Sequence, residues 1–170
     1  NPKVKDFLDR HPNATLVGFC WSLYWRLTII LLLIEIIVFI AEAIHSGVND
    51  KQLNQNNFLG ATVETHQLFG MRMPFLIHRD KHVHRFFLPF FLHHSFSHLF
   101  IALLIQMLIG FNFEKIIGTS KLVVFWFLTV IGGNVFGALV TDDYTIGSDC
   151  YVFALFGGLI SITILILCRP

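Results

Sequence analysis

The feature that most constrains this chain is an uncharged apolar run from Phe86 to Phe113. It lies inside the segment HRFFLPFFLHHSFSHLFIALLIQMLIGFNFEKIIG, His84–Gly118. About 20 apolar residues suffice to cross a bilayer, and this run is longer than that, with no Asp, Glu, Lys or Arg inside it. Backbone in hydrocarbon must satisfy its own polar groups, so the expected form is a membrane helix. Its polar chemistry gathers near one end. His94 and His98 fall one helical turn apart on one face, with His93 at the neighbouring position.

Composition extends this reading to the whole chain. Of its residues 55% are hydrophobic and 14% charged, and the mean hydropathy is +0.68; a soluble domain carries about 25% charged residues. The expected class is all-α, a multi-pass membrane bundle with about four transmembrane helices. A net charge of +1 leaves no basic stripe for nucleic acid. Cys20, Cys150 and Cys168 form no spaced pair, so neither a disulfide framework nor a Cys-based zinc site is expected. His78, His82 and His84 fit no zinc signature, and no metal or cofactor is expected.

Taken in order, residues 1–22 read as a polar, interfacial segment with a weak glycosylation sequon at Asn13. The polar start without Met reads as a processed or partial chain. Residues 23–44 form the first transmembrane helix, its apolar stretch running from Leu27 to Ile44 behind Trp21, Tyr24, Trp25 and Arg26. Glu35 and Glu42 interrupt it. A carboxyl at bilayer depth costs roughly 2–3 kcal/mol or more unless it faces protein, water or a partner, and Glu35, the deeper one, reads as facing a neighbouring helix or another subunit, or as a proton or ion site. Residues 45–85 read as a long re-entrant or interfacial loop, too polar and too interrupted by Gly60, Gly70 and Pro74 to span. Residues 86–170 then supply core helices two to four: the central run, a third span over Leu122–Val140, and a fourth over Gly147–Cys168. Small residues in GGNVFGA, Gly132–Ala138, and at Gly157-Gly158 mark places where helix backbones approach closely. Lys115 and Lys121 lie on one side of the membrane, Asp142 and Asp143 on the other, and both termini fall on the basic side.

Three of these features together resemble the rhomboid family of intramembrane serine proteases. They are the histidine-bearing helix, Gly110-x3-Glu114-x3-Gly118 at its end, and the basic entry His84-Arg85 followed by Pro89; IGSDCYVFALFGG in the fourth span also looks like the family's pattern there. The resemblance covers roughly Phe58 to Gly158 and implies that Glu114 anchors the turn between the second and third helices. It also implies that the first loop lies partly in the membrane surface, although the Trp-Arg pair often found there is missing.

The resemblance further implies an active site that can be checked position by position. The family places a nucleophilic serine in G-x-S-G at the mouth of the fourth helix. A histidine on a sixth helix takes its proton, and a histidine and an asparagine on the second helix help to hold the oxyanion. With Gly147 as the first glycine and Ala154, Leu155 and Gly157 in register, Asp149 stands at the nucleophile position and Cys150 at the second glycine. Ser148 falls one residue early, turned by about 100° around a helix. His98 matches the family histidine, but Ala102 stands where the asparagine belongs. Losing one such donor costs on the order of 100-fold in rate. A fifth and sixth helix, and the base, are not found before Pro170. His93, His94 and His98 are then expected to line a wet cavity or cap the helix.

The leading expectation is a catalytically inactive rhomboid-like protein. It would serve as a structural or accessory subunit of a larger hetero-oligomeric membrane complex, or as a scaffold binding other membrane helices and lipid. Alternatives are an active protease using Ser148 and a client-binding pseudoprotease of the secretory pathway. A channel or transporter would rest only on Glu35 and the histidines, and no paired half-helix pattern supports it. The location leans to the mitochondrial inner membrane over the endomembrane system.

Overall fold

A computed structural model describes Asp9, residues 26–49 and residues 60–168 of the chain. The readings placed on Asn13, Cys20, Trp21, Tyr24, Trp25, residues 50–59 and Arg169 lie outside the described residues. Four helices are long and apolar enough to cross a membrane, at Leu27–Gly47, Phe96–Ile117, Thr119–Val140 and Asp149–Cys168. The described residues form a helical bundle with only an isolated Arg72–Thr145 bridge of β type.

The first helix, α1, is Leu27–Asn49 and runs past the expected end at Ile44. It continues because the segment beyond it offers polar partners. His45 Nδ1 lies 3.2 Å from Thr65 Oγ1, and the Ser46 hydroxyl donates to Thr65 Oγ1 at 3.0 Å. Within residues 45–85 two short helices form, α2 at Val63–Phe69 and α3 at Pro74–Asp80. Thr62 caps α2 by accepting from Thr65 N, and Gly70 ends it at a φ of 104° that favours glycine. Arg85 locks this region by donating to Met71 O at 2.7 Å and Gln67 O at 3.1 Å.

The long apolar run is not one helix. Phe86–Phe91 sits in two 3-10 turns, Val83–Phe86 and Leu88–Phe91, and the spanning helix starts only at Phe96. Pro89 lacks an N–H to continue an α-helix, and Ser95 supplies the N-cap by accepting from His98 N at 3.3 Å. The second span comprises α4 at Phe96–Ile105, a π turn at Gln106–Gly110 and α5 at Phe111–Ile117. The sequence places a short turn over Asn112 to Lys121, but helix persists to Ile117 and the chain reverses at Gly118, at φ 87°. The third span, α6, is Thr119–Val140, and the fourth, α7, is Asp149–Cys168.

Aromatic packing fixes the core. Leu31, Phe90, Phe113, Leu122, Trp126, Tyr151 and Leu155 form one buried cluster. Phe90 meets Trp126 edge-to-face at 5.5 Å between ring centroids and Tyr151 at 5.9 Å. The 3-10 turns thus serve as a plug that joins α1, α6 and α7. Below them Glu114 ties three spans together. Its carboxyl oxygens accept from Leu27 N, Thr28 N and Thr28 Oγ1 at the start of α1, and from Thr119 Oγ1 at the start of α6.

The small residues of α6 do two different jobs. A side chain added at Gly133 would meet Cys150 Sγ at 2.5 Å, so this is a close approach of α6 and α7. At Gly137 the neighbour is the Arg72 guanidinium from the loop, while Gly132 faces open space. Gly158 packs under the Phe113 ring, whereas Gly157 has nothing within 4 Å. An alanine at Gly157 is therefore expected to raise the thermal stability of the isolated chain, by about 0.5–1 kcal/mol. A melting curve of Gly157→Ala in detergent checks this.

Candidate active-site region

Gly147, with φ 125°, makes the turn into α7. Its N–H donates to Pro89 O at 2.9 Å, and Ser148 O accepts the first helical bonds from Tyr151 N and Val152 N at 3.0 Å. This sends two successive side chains in opposite directions. Ser148 points into the bundle and is fully buried, while Asp149 points to the mouth and is 57% exposed.

Two separate polar groupings result. At the mouth, Asp149 Oδ1 lies 3.1 Å from His98 Nε2. The pair is half-open, its side chains 26% and 57% exposed. The rings of His98 and His94 stack at 6.3 Å, and His94 meets His66 edge-to-face at 5.8 Å. His66 Nδ1 in turn pairs with Glu42 at 2.7 Å, both buried.

In the interior, Ser148, His93, Gln106 and Glu35 form the second grouping, all at 0% exposure. Gln106 Nε2 donates to Glu35 Oε1 at 2.8 Å, to Glu35 Oε2 at 3.0 Å and to Ser148 Oγ at 3.2 Å. His93 Nε2 lies 3.3 Å from Ser148 Oγ and 3.6 Å from Glu35 Oε2. Gln106 reaches this centre from the first position of the π turn, a local widening that re-aims a side chain. Sequence analysis passed over Gln106. The only signal for it was one amide in an otherwise apolar stretch of helix.

This interior grouping contains a serine, a histidine and a carboxyl, yet its wiring differs from a hydrolase triad. A triad places the carboxylate on the imidazole nitrogen opposite the serine, so that the ring is oriented and its cation stabilised. Here Ser148 and Glu35 share one nitrogen, Nε2, and among the described residues His93 Nδ1 has no carboxylate partner. Burial, then the neighbouring His98, push His93 from its ordinary 6.5 down to about 4. Burial, then His66, also lower His94. The folded arrangement thus resists protons that an unfolded chain takes up below 6.5. Its stability is expected to be full above that value and to fall as pH drops toward about 4. Melting curves between those limits should show a weaker pH dependence in His93→Gln.

The remaining singled-out residues fall around these groupings. Ala102 is buried one turn below His98 and offers no side-chain donor. Cys150 packs on Gly133, and both Cys150 and Cys168 are free thiols. His82 accepts from Arg85 Nε at 3.3 Å and its ring lies 5.3 Å from that of His84. Among the described residues no group of three or more His, Cys, Asp or Glu is placed to hold a metal ion.

The Rhomboid domain profile matches residues 80–165, from the end of α3 through most of α7. The chain belongs to the rhomboid family. Rhomboid-like protease 2 of Toxoplasma gondii is 31% identical over 126 residues, which is 73% of this chain and 44% of that protein. Rhomboid-like protease 1 of the same organism is 33% identical over 91 residues, 52% of this chain and 31% of that protein. The chain thus spans less than half the length of these relatives. No solved structure matches. With its four apolar spans, this rhomboid is an integral, multi-pass membrane protein, and the Gly147–Asp149 corner described above lies inside the matched region.

Proposed function

We propose that this rhomboid does not hydrolyse peptide bonds and instead holds other membrane helices, as a scaffold or accessory subunit. The observation that carries this reading is the Asp149–His98 contact at the mouth. In the register set by Gly147, Ala154, Leu155 and Gly157, a carboxylate stands where the family's hydroxyl attacks. An anionic carboxylate next to a forming oxyanion repels it. At 4 Å the interaction of two unit charges is about 4 kcal/mol with an effective dielectric near 20. The apolar Ala102 removes a donor from the same pocket.

A second reading, hydrolysis by Ser148, is favoured by the 3.3 Å approach of His93 Nε2 to its hydroxyl. Against it stand the burial of Ser148, the competing Glu35 carboxyl on the same nitrogen, and the Gln106 amide already bonded to the hydroxyl. Reconstitution with a fluorescent single-span helix separates the two. The scaffold reading expects binding with the helix intact after long incubation. Cleavage that disappears in Ser148→Ala overturns it. Assembly type is read from the same material: a stoichiometric complex surviving mild detergent indicates a subunit, and a substoichiometric mixture indicates client binding. The mitochondrial inner membrane is the proposed location, and fractionation against endomembrane markers tests it.

A further inference from the structure

Two buried carboxyls of the spans are supplied very differently with donors. Glu114 receives four of them on its two oxygens, two backbone N–H groups and two hydroxyls. Glu35 is just as enclosed, at 0% exposure. Yet a single amide nitrogen, Gln106 Nε2, serves both of its oxygens, at 2.8 and 3.0 Å, and the Ser148 hydroxyl as well. Three acceptors thus share two hydrogens. Among the described residues no Lys or Arg pairs with Glu35. It follows Leu27 by eight residues, about 12 Å along α1, so an anion there would lie deep in the span with one neutral amide to stabilise it. An isolated buried charge of that kind neutralises instead, and any further chain packed on the bundle only encloses it more.

Turning the amide over does not relieve the site. The Gln106 carbonyl oxygen would then face both Glu35 oxygens at those same distances, contacts that need a hydrogen between them. Either orientation calls for one hydrogen beyond those the amide brings. His93 Nε2 faces Glu35 Oε2 across 3.6 Å, a gap wider than a hydrogen bond that a shared proton draws closed. The other titratable groups around the pair supply no fixed cation. His98, its ring 5.3 Å from that of His93, is engaged with Asp149; His66 is paired with Glu42; and Tyr151 of α7 lies within the field of Glu35 and Glu114.

We propose that Glu35 is a proton-binding site, holding one proton on Oε2 directed at His93 Nε2. The lone pair it engages is the one that hydrolysis by Ser148 would need. The site goes beyond the scaffold reading and does not rest on it.

The test is infrared difference spectroscopy of the full chain in phosphatidylcholine vesicles at neutral pH, comparing the native protein with Glu35→Gln and His93→Gln. Glu35→Gln is expected to lose one carbonyl band of a protonated carboxyl, a band that moves down in heavy water. In His93→Gln the same band should persist but shift, because the hydroxyl meets a different acceptor. Loss of carboxylate bands alone in Glu35→Gln overturns the inference, and so does an acid band that His93→Gln leaves unmoved. Should His93→Gln fail to fold, nitrogen-15 NMR of the native chain labelled in histidine decides. His93 Nε2 is expected as a hydrogen-bonded nitrogen without its own hydrogen, and an Nε2–H there overturns the inference. Each of these failures leaves the scaffold reading standing, since capture of a membrane helix is measured separately.

Discussion

Replacing Glu114 with alanine is expected to lower the melting temperature of the detergent-solubilised chain more than any other single side-chain deletion in the second span. Its Oε1 accepts from Leu27 N and Thr119 Oγ1, and its Oε2 from Thr28 N and Thr28 Oγ1. Two of these donors are free N–H groups at the start of α1, which a helix cannot satisfy internally. With hydrogen bonds to a charged group at about 1.5–3 kcal/mol each before non-additivity, the loss is on the order of 3–5 kcal/mol. At about 2–4 °C per kcal/mol for a chain of this size, the midpoint falls by about 10 °C. Glu114→Gln is the sharper variant. It keeps the shape but sets an NH2 donor against two donors, so it is expected to rescue little. Near-native melting of Glu114→Gln would contradict this account of how α1, α5 and α6 are held.

The second large effect is expected at Gly60. A Cβ there would run into the His94 carbonyl oxygen and stand 3.3 Å from its carbon. Backbone cannot swing aside as a flexible side chain does, so Gly60→Ala should cost at least the roughly 1–3 kcal/mol typical of overpacking. The displacement has a particular direction: it pushes on the turn that holds His93 and His94 and caps α4 through Ser95. Loss of stability should therefore come with altered titration of the histidines, read by NMR of the imidazole rings. An equally destabilised Gly158→Ala, which presses on the Phe113 ring instead, should leave those titrations unchanged.

How far the sequence made this legible follows from which residues carry local rules. The four spans were readable because hydropathy and length decide them, and the Glu114 turn stood out because its two glycines frame a lone carboxyl. The break at Phe86–Ser95 was not readable from hydropathy. Seven apolar residues precede Ser95 from Phe86 onward, and only Pro89 and the capping serine cut the helix there. Glu35 and Glu42 announced that they needed partners but not which. His66 lies on the short helix α2, whose placement depends on Arg85 and Thr62, and Gln106 is turned inward by a π turn that no residue pattern signals. The most consequential miss concerns Ser148. Its place one residue early turns it by about 100° from the nucleophile position on a helical wheel, but only the structure shows that the left-handed Gly147 swings it inward onto His93. Its neighbour Asp149 takes the place at the mouth.

That contact makes Ser148 the group on which the central claim must be tried. The direct measurement is labelling of the purified, membrane-reconstituted chain with a fluorescent fluorophosphonate, with Ser148→Ala beside it. The account predicts no labelling above background in either protein, because the hydroxyl is enclosed and shares its imidazole nitrogen with Glu35. Labelling of the native chain that vanishes in Ser148→Ala would contradict it and make this rhomboid a serine hydrolase.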